Sequence, residues 1–321
     1  MKPCLPVALA PLAALVALAA CDGGPPAHTA GEGTSGGAAA AAGPEAAHRG
    51  VVPLSFEAKK TGAKPFPFAF VDGKVGDQPT RFIIDTGAGV HVIDSAVASA
   101  AKLAAPVNAS TMSIDGWGAL VAHPVSVREL PASIRAHGIG GVIAPQLLAE
   151  AGQAVVIDLL NHQMRLSPKS TAWSAMDDLG VLLTPSGQRK PCASTDADGV
   201  AGIALGVEAF VDGEAVHLAI DTGASRSLLN EGSKGGAKAS VHPVLGRTVA
   251  ASASAEVATS LYGGVPFAIG GWKSTVDVGV TTPHPQPQCG AEGRIGMDVL
   301  HDCALAMTTD EFVVACRPLT R

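Results

Sequence analysis

The chain has 321 residues, a formal net charge of −6, 38 glycines, 16% charged residues and only 4% aromatics. Mild acidity without a long run of like charge argues against a nucleic-acid partner, which would need a basic surface. Abundant Val, Ile, Ala and Gly favour short strands and tight turns over long helices, so a mainly β architecture is expected, with weak helical stretches only at 95–103 and 145–152.

Taken in order, residues 1–20 read as a lipoprotein signal peptide: a charged start at Met1-Lys2, an apolar run from Leu5 to Leu18, then Leu18-Ala19-Ala20-Cys21. The tetrapeptide resembles the lipobox of bacterial lipoproteins. That resemblance implies acylation of Cys21 and attachment to a membrane of the bacterial cell envelope, facing the periplasm or the exterior. Residues 21–50, rich in Gly, Ala and Pro, read as a flexible tether. Past the signal, no apolar run approaches the roughly 20 residues a spanning helix needs. Two lobes are expected at 51–168 and 198–321, joined by 169–197, where Pro185, Ser186, Gly187 and Pro191 interrupt regular structure. The Pro-rich stretch 283–288 reads as a surface loop of the second lobe.

The lobes share a motif. Arg81-Phe82-Ile83-Ile84 leads into Asp85-Thr86-Gly87-Ala88-Gly89, and His217-Leu218-Ala219-Ile220 leads into Asp221-Thr222-Gly223-Ala224-Ser225. Each aspartate ends an apolar run of strand character and enters a Gly-containing turn. Phe-Val-Asp-Gly also occurs upstream in both copies, at 70–73 and 210–213. Downstream, Gly141-Val142-Ile143-Ala144 and Gly293-Arg294-Ile295-Gly296 each precede a short helical segment and a closing hairpin. Self-similarity on this scale indicates a duplicated structural unit.

This order resembles the aspartic peptidases, both the bilobal pepsin-like enzymes and the single-lobe retropepsins, over roughly 52–168 and 198–319. The resemblance implies a bilobal acid-protease-like fold of two pseudo-twofold-related β-barrel lobes. It implies a catalytic pair, Asp85 and Asp221, supported by Thr86, Gly87, Thr222, Gly223 and Ser225. The threonines would bond across the lobes, and Ser225 would bond the outer oxygen of its aspartate. The later Gly141 and Gly293 strands would brace the loops. Gly89 and Ala144 depart from the pattern in lobe one. A flap over the cleft is expected at Gly116-Trp117-Gly118, with the indole either exposed at its tip or packed inward in the turn, and a matching hairpin at 250–256. No metal or cofactor is expected, because two carboxyls close enough to share one proton supply both an acid and a base. The implied function is an aspartic endopeptidase that cleaves extended polypeptides, working as a monomer because one chain completes the pair. The alternative is a lipoprotein that binds peptides with weak or no turnover.

Four cysteines remain beyond Cys4 and Cys21, an even count that favours two disulfides in an exported chain. If Thr309-Asp310 forms a two-residue turn, Cys303 faces Cys316 across the hairpin, leaving Cys192 with Cys289. Cys192–Cys316 with Cys289–Cys303 stays open at this level.

Overall fold

The computed structural model describes residues 50–56, 68–184, 189–195, 199–251, 256–282 and 288–317. Cys21, the 1–20 signal and the tether up to residue 49 lie outside the described residues. So do Pro185, Ser186, Gly187 and residues 252–255 and 283–287, which fall in the expected hairpin at 250–256 and the Pro-rich stretch 283–288.

Each lobe is built on a seven-stranded sheet. In lobe one the hairpin Phe70–Val75/Gln78–Ile84 lies beside Ile139–Ile143, which runs parallel to its second strand. His91–Asp94 crosses back antiparallel to that brace and pairs in parallel with Val125–Arg128. Lobe two repeats the arrangement with the hairpin Gly206–Val211/Glu214–Ile220, the parallel brace Gly293–Ile295, the crossing strand Leu228–Asn230, and Trp272–Thr281. The burial pattern of Phe70–Val75 alternates as a half-buried strand must, whereas Ile139–Ile143 is buried throughout, as expected of a strand covered on both faces. The braces contain glycine because neighbouring strands come too close for a side chain. A Cβ at Gly141 would lie 2.7 Å from the Val92 carbonyl oxygen, and one at Gly293 would collide with that of Leu228.

The upstream Phe-Val-Asp-Gly repeat is a coincidence of composition. Phe70-Val71-Asp72-Gly73 lies within a strand, whereas Asp212-Gly213 forms the hairpin turn of lobe two. The residues at the lobe-one turn are Gly76-Asp77. The two tetrapeptides are therefore out of structural register, although the Asp-Thr-Gly loops that follow are in register.

The closing hairpins of both lobes merge into one six-stranded sheet, in which Gln153–Asp158 pairs with Cys303–Met307. The helix Lys169–Leu179 packs on it through Ala172 and Met176 against Ala154, Val156, Ala304, Ala306, Val313 and Ala315. This helix lies in the stretch read from sequence as a connection. It begins after Pro168, which cannot continue the preceding strand's hydrogen bonding, and stops at Gly180, whose φ is 139°. Small residues on the sheet let the helix come close. At the two stretches expected to be helical, helix is shorter: 95–103 forms one only at Ser95–Ala100, and 145–152 holds a single 3₁₀ turn, Pro145–Leu147, while short helices also form at Ala132–Arg135 and Lys234–Ala239.

Both disulfides close around lobe two. Cys303 and Cys316 are register partners with Cα atoms 3.9 Å apart, and Thr308 N–H bonds the Glu311 carbonyl at the two-residue turn. Cys192 pairs with Cys289, 97 residues away. Such bridges persist in oxidising compartments and fit a location outside the cytoplasm. Replacing Cys192 and Cys289 together by Ala is expected to lower the unfolding free energy by about 2–5 kcal/mol, measured by urea titration. An unchanged midpoint would mean that the long loop they close is constrained by other contacts. Among the described residues no helix is long and apolar enough to cross a membrane.

Candidate active site

Asp85 and Asp221 follow directly from the second strands of the repeated hairpins. The Asp85 N–H donates to the Ile143 carbonyl (2.9 Å) and the Asp221 N–H to the Ile295 carbonyl (3.0 Å), so each brace fixes the backbone at its aspartate. The turns then cross between lobes. Thr86 N–H donates to Thr222 Oγ1 (3.0 Å) and Thr222 N–H to Thr86 Oγ1 (3.1 Å). The hydroxyls pass their own protons on, Thr86 Oγ1 to the Ile220 carbonyl (2.9 Å) and Thr222 Oγ1 to that of Ile84 (2.8 Å). Four reciprocal bonds between buried groups tie the loops together.

Each carboxyl sits against the other loop's glycine. A Cβ at Gly87 would overlap the Asp221 carboxyl, and one at Gly223 would overlap that of Asp85. The absence of a side chain at these two positions is what lets the carboxyls meet. Asp85 is 6% exposed and Asp221 is 4% exposed. Asp85 Oδ1 accepts from the N–H groups of Gly87 (2.7 Å) and Ala88 (3.2 Å). Burial first, then the adjacent Asp221 charge and a hydrogen bond with it, push the Asp85 carboxyl well above the usual range, opposed by the Gly87 N–H and Arg294. This is the behaviour of two carboxyls that resist joint ionisation.

A family model for aspartyl protease matches residues 71–151. No curated protein matches the chain. An aspartic proteinase from Irpex lacteus is 11% identical, with 84% of this chain and 97% of that chain covered and a TM-score of 0.41. Basic 7S globulin from soybean is 12% identical, with 84% and 95% covered and a TM-score of 0.41. The fold is mainly β and built of two lobes, and the matched segment carries the first Asp-Thr-Gly loop and its brace.

Behind the loops the two lobes solve one problem with different residues. The brace residue after each buried strand has an N–H pointing inward. In lobe two the Gly296 N–H donates to Ser227 Oγ (3.1 Å), whose hydroxyl and N–H both bond Asp298 Oδ1 (2.8 Å each). In lobe one the Ala144 N–H donates to His91 Nδ1 (3.2 Å), and Gln146 Nε2 bonds the carbonyls of Ala88 (2.6 Å) and Ile203 (2.7 Å). His91 and Ser227 stand at the same distance after their aspartates, as do Ala144 and Gly296 relative to the braces. Sequence reading gave His91 no role; its matched position in the repeat is the signal that would have found it. Ala144 is therefore accommodated, its N–H taken by an imidazole instead of a hydroxyl.

His91 is fully buried. Burial first, then the neighbouring His123, lowers its pKa from 6.5 to about 3. Its unfolded form takes up a proton near 6.5 and its folded form only near 3, so the stability it contributes is lost as pH falls across that interval. Relative to His91→Gln, the wild-type melting temperature is expected to lose ground from about pH 6.5 to about pH 4, over and above the opposite contribution of the raised Asp85. His91→Gln should flatten the profile in calorimetry; parallel profiles would show that His91 is not held neutral.

The remaining sequence-derived positions divide. Ser225 lies in the lobe-two loop, at a cavity of about 400 Å³ that it lines with Arg226, Trp272, Asp277 and Asp298. The charged partner of Asp221 is Arg294, whose Nη1 donates to Oδ2 at 2.8 Å. A cation in an otherwise apolar brace was visible in Gly293-Arg294-Ile295-Gly296, but what it touches was not. At the expected flap, Gly116 (φ 79°) and Gly118 (φ 91°) turn the chain between Met112–Ile114 and Gly118–Ala119. Trp117 is 4% exposed and belongs to the core, so of the two readings the ring is packed inward and is not exposed at the tip. The turn folds back because Trp117 N–H bonds the Ile114 carbonyl and the Gly116 carbonyl accepts from Gly50 N–H, which carries the ring inward. In lobe two the strands Val244–Ala251 and Glu256–Ile269 pair as a long hairpin.

Proposed function

We propose that the chain is an aspartic endopeptidase that hydrolyses peptide bonds of extended polypeptides with a water held between Asp85 and Asp221. The observation that carries this reading is the mutual packing of two buried carboxyls, each on the opposite loop's glycine, within a reciprocal threonine lock. One carboxylate takes a proton from water as its oxygen attacks the scissile carbonyl carbon, and the other carboxyl donates its proton to the carbonyl oxygen. The tetrahedral diol then collapses, the C–N bond breaks, and the leaving nitrogen takes a proton from the pair. One chain supplies both aspartates, which supports a monomeric enzyme. The lipobox-like Leu18-Ala19-Ala20-Cys21 supports anchoring by a lipid on Cys21 in a bacterial envelope, where the substrates would be exported polypeptides.

The direct test is cleavage of unfolded casein between about pH 3 and pH 7, where a coupled carboxyl pair titrates. Cleavage blocked by a statine-type analogue is expected. Binding of the analogue without cleavage at any pH would overturn the peptidase reading in favour of peptide binding alone.

A further inference from the structure

The pair is duplicated, but its surroundings are not. Arg294 lies on Gly293–Ile295 opposite Ala219, and its lobe-one counterpart, opposite Ile83, is Val142. Val142 is 1% exposed and has nothing to donate. A cation is therefore held against one carboxyl of the pair and not the other. The Arg294 side chain, 25% exposed, reaches the 6% exposed Asp221 side chain with its Nη1 at 2.8 Å. Asp221 Oδ1, also buried, meets no N–H or O–H donor among the described residues. The Asp85 carboxyl beside it can supply one only by carrying the shared proton.

We propose that Arg294 is the positioning residue of the pair, holding Asp221 as the carboxylate that takes the water's proton and leaving Asp85 as the acid that protonates the substrate carbonyl. The assignment rests on the peptidase reading for its chemistry, but not for its charge distribution. Other titratable groups around the loops do not reproduce this asymmetry. Behind the lobe-one loop, His91 faces His123 and is neutral above about 3. Behind the lobe-two loop, Asp298 is raised by burial and pulled down by Ser227 and Arg226. A base that keeps its charge in acid would extend activity to lower pH, since the pair must carry one negative charge to work.

The test uses the full chain labelled with ¹³C at aspartate Cγ, with the two resonances assigned through Asp85→Asn and Asp221→Asn. At about pH 5, Asp85 is expected to show the protonated shift and Asp221 the ionised one. Arg294→Met should bring the two together, as the proton becomes shared. In casein cleavage, Arg294→Met should move the acid limb of the pH profile upward by about one to three units. Arg294→Lys, which keeps a cation, should restore much of that limb. Three results would overturn the proposal: an acid limb unmoved in Arg294→Met, a proton found on Asp221, or faster cleavage by Arg294→Met at every pH, which would make the guanidinium a plug. If the wild type cleaves nothing, the peptidase reading fails, while the carbon shifts still decide where the proton sits.

Discussion

Asp85→Asn is expected to lower kcat on an unfolded protein substrate by about 10²–10⁴-fold, with KM little changed, while raising the melting temperature near neutral pH. The two effects have a common cause. Asp85 is buried against a second carboxyl, so its folded-state pKa is raised. The stability it contributes is complete below the ordinary carboxyl pKa of 3.8 and is lost as pH rises through the raised value. Near neutral pH the wild type therefore carries a strained pair. The asparagine amide removes the titration and still offers a donor to Asp221. Asp221→Asn should lose as much activity without the gain in stability, because it leaves the Arg294 guanidinium beside a neutral amide. Loss of activity with a lower melting temperature in Asp85→Asn would reduce Asp85 to a structural residue. Retained cleavage in either variant would remove the shared pair altogether.

Thr222→Val is expected to cost about 2–5 kcal/mol in urea unfolding and to depress kcat severely. The hydroxyl it removes accepts from the Thr86 N–H and donates to the Ile84 carbonyl. Valine fills nearly the same volume, so the loss is not a cavity effect. It leaves a buried donor and a buried acceptor without partners, and each such group costs about 1–3 kcal/mol. The carboxyls suffer too, because their approach depends on the loops meeting at Gly87 and Gly223. Thr222→Ser keeps the hydroxyl and should recover most of both quantities. If Thr222→Val were as stable and active as Thr222→Ser, the lobes would be registered by the six-stranded sheet and not by the loops.

Much of this organisation was legible before any fold was known, for a physical reason. Strand periodicity, turn residues and hairpin register are local: Asp85 and Asp221 end apolar runs, and Cys303 meets Cys316 because a two-residue turn places them opposite. The duplication made those local signals reinforce one another. Repetition of letters alone misled, as the displaced Phe-Val-Asp-Gly shows, because a tetrapeptide can match by composition while a structural repeat must also match in spacing. Other features depend on which groups approach through space. The sequence could not tell that Trp117 turns inward, that His91 takes the Ala144 N–H where lobe two uses Ser227, or that the guanidinium of Arg294 rests on Asp221. The sequence by itself determined two equivalent carboxyl loops. Only the pairing of strands within lobe two decided what distinguishes their surroundings, since the charge comes from a strand some 73 residues beyond the aspartate it touches.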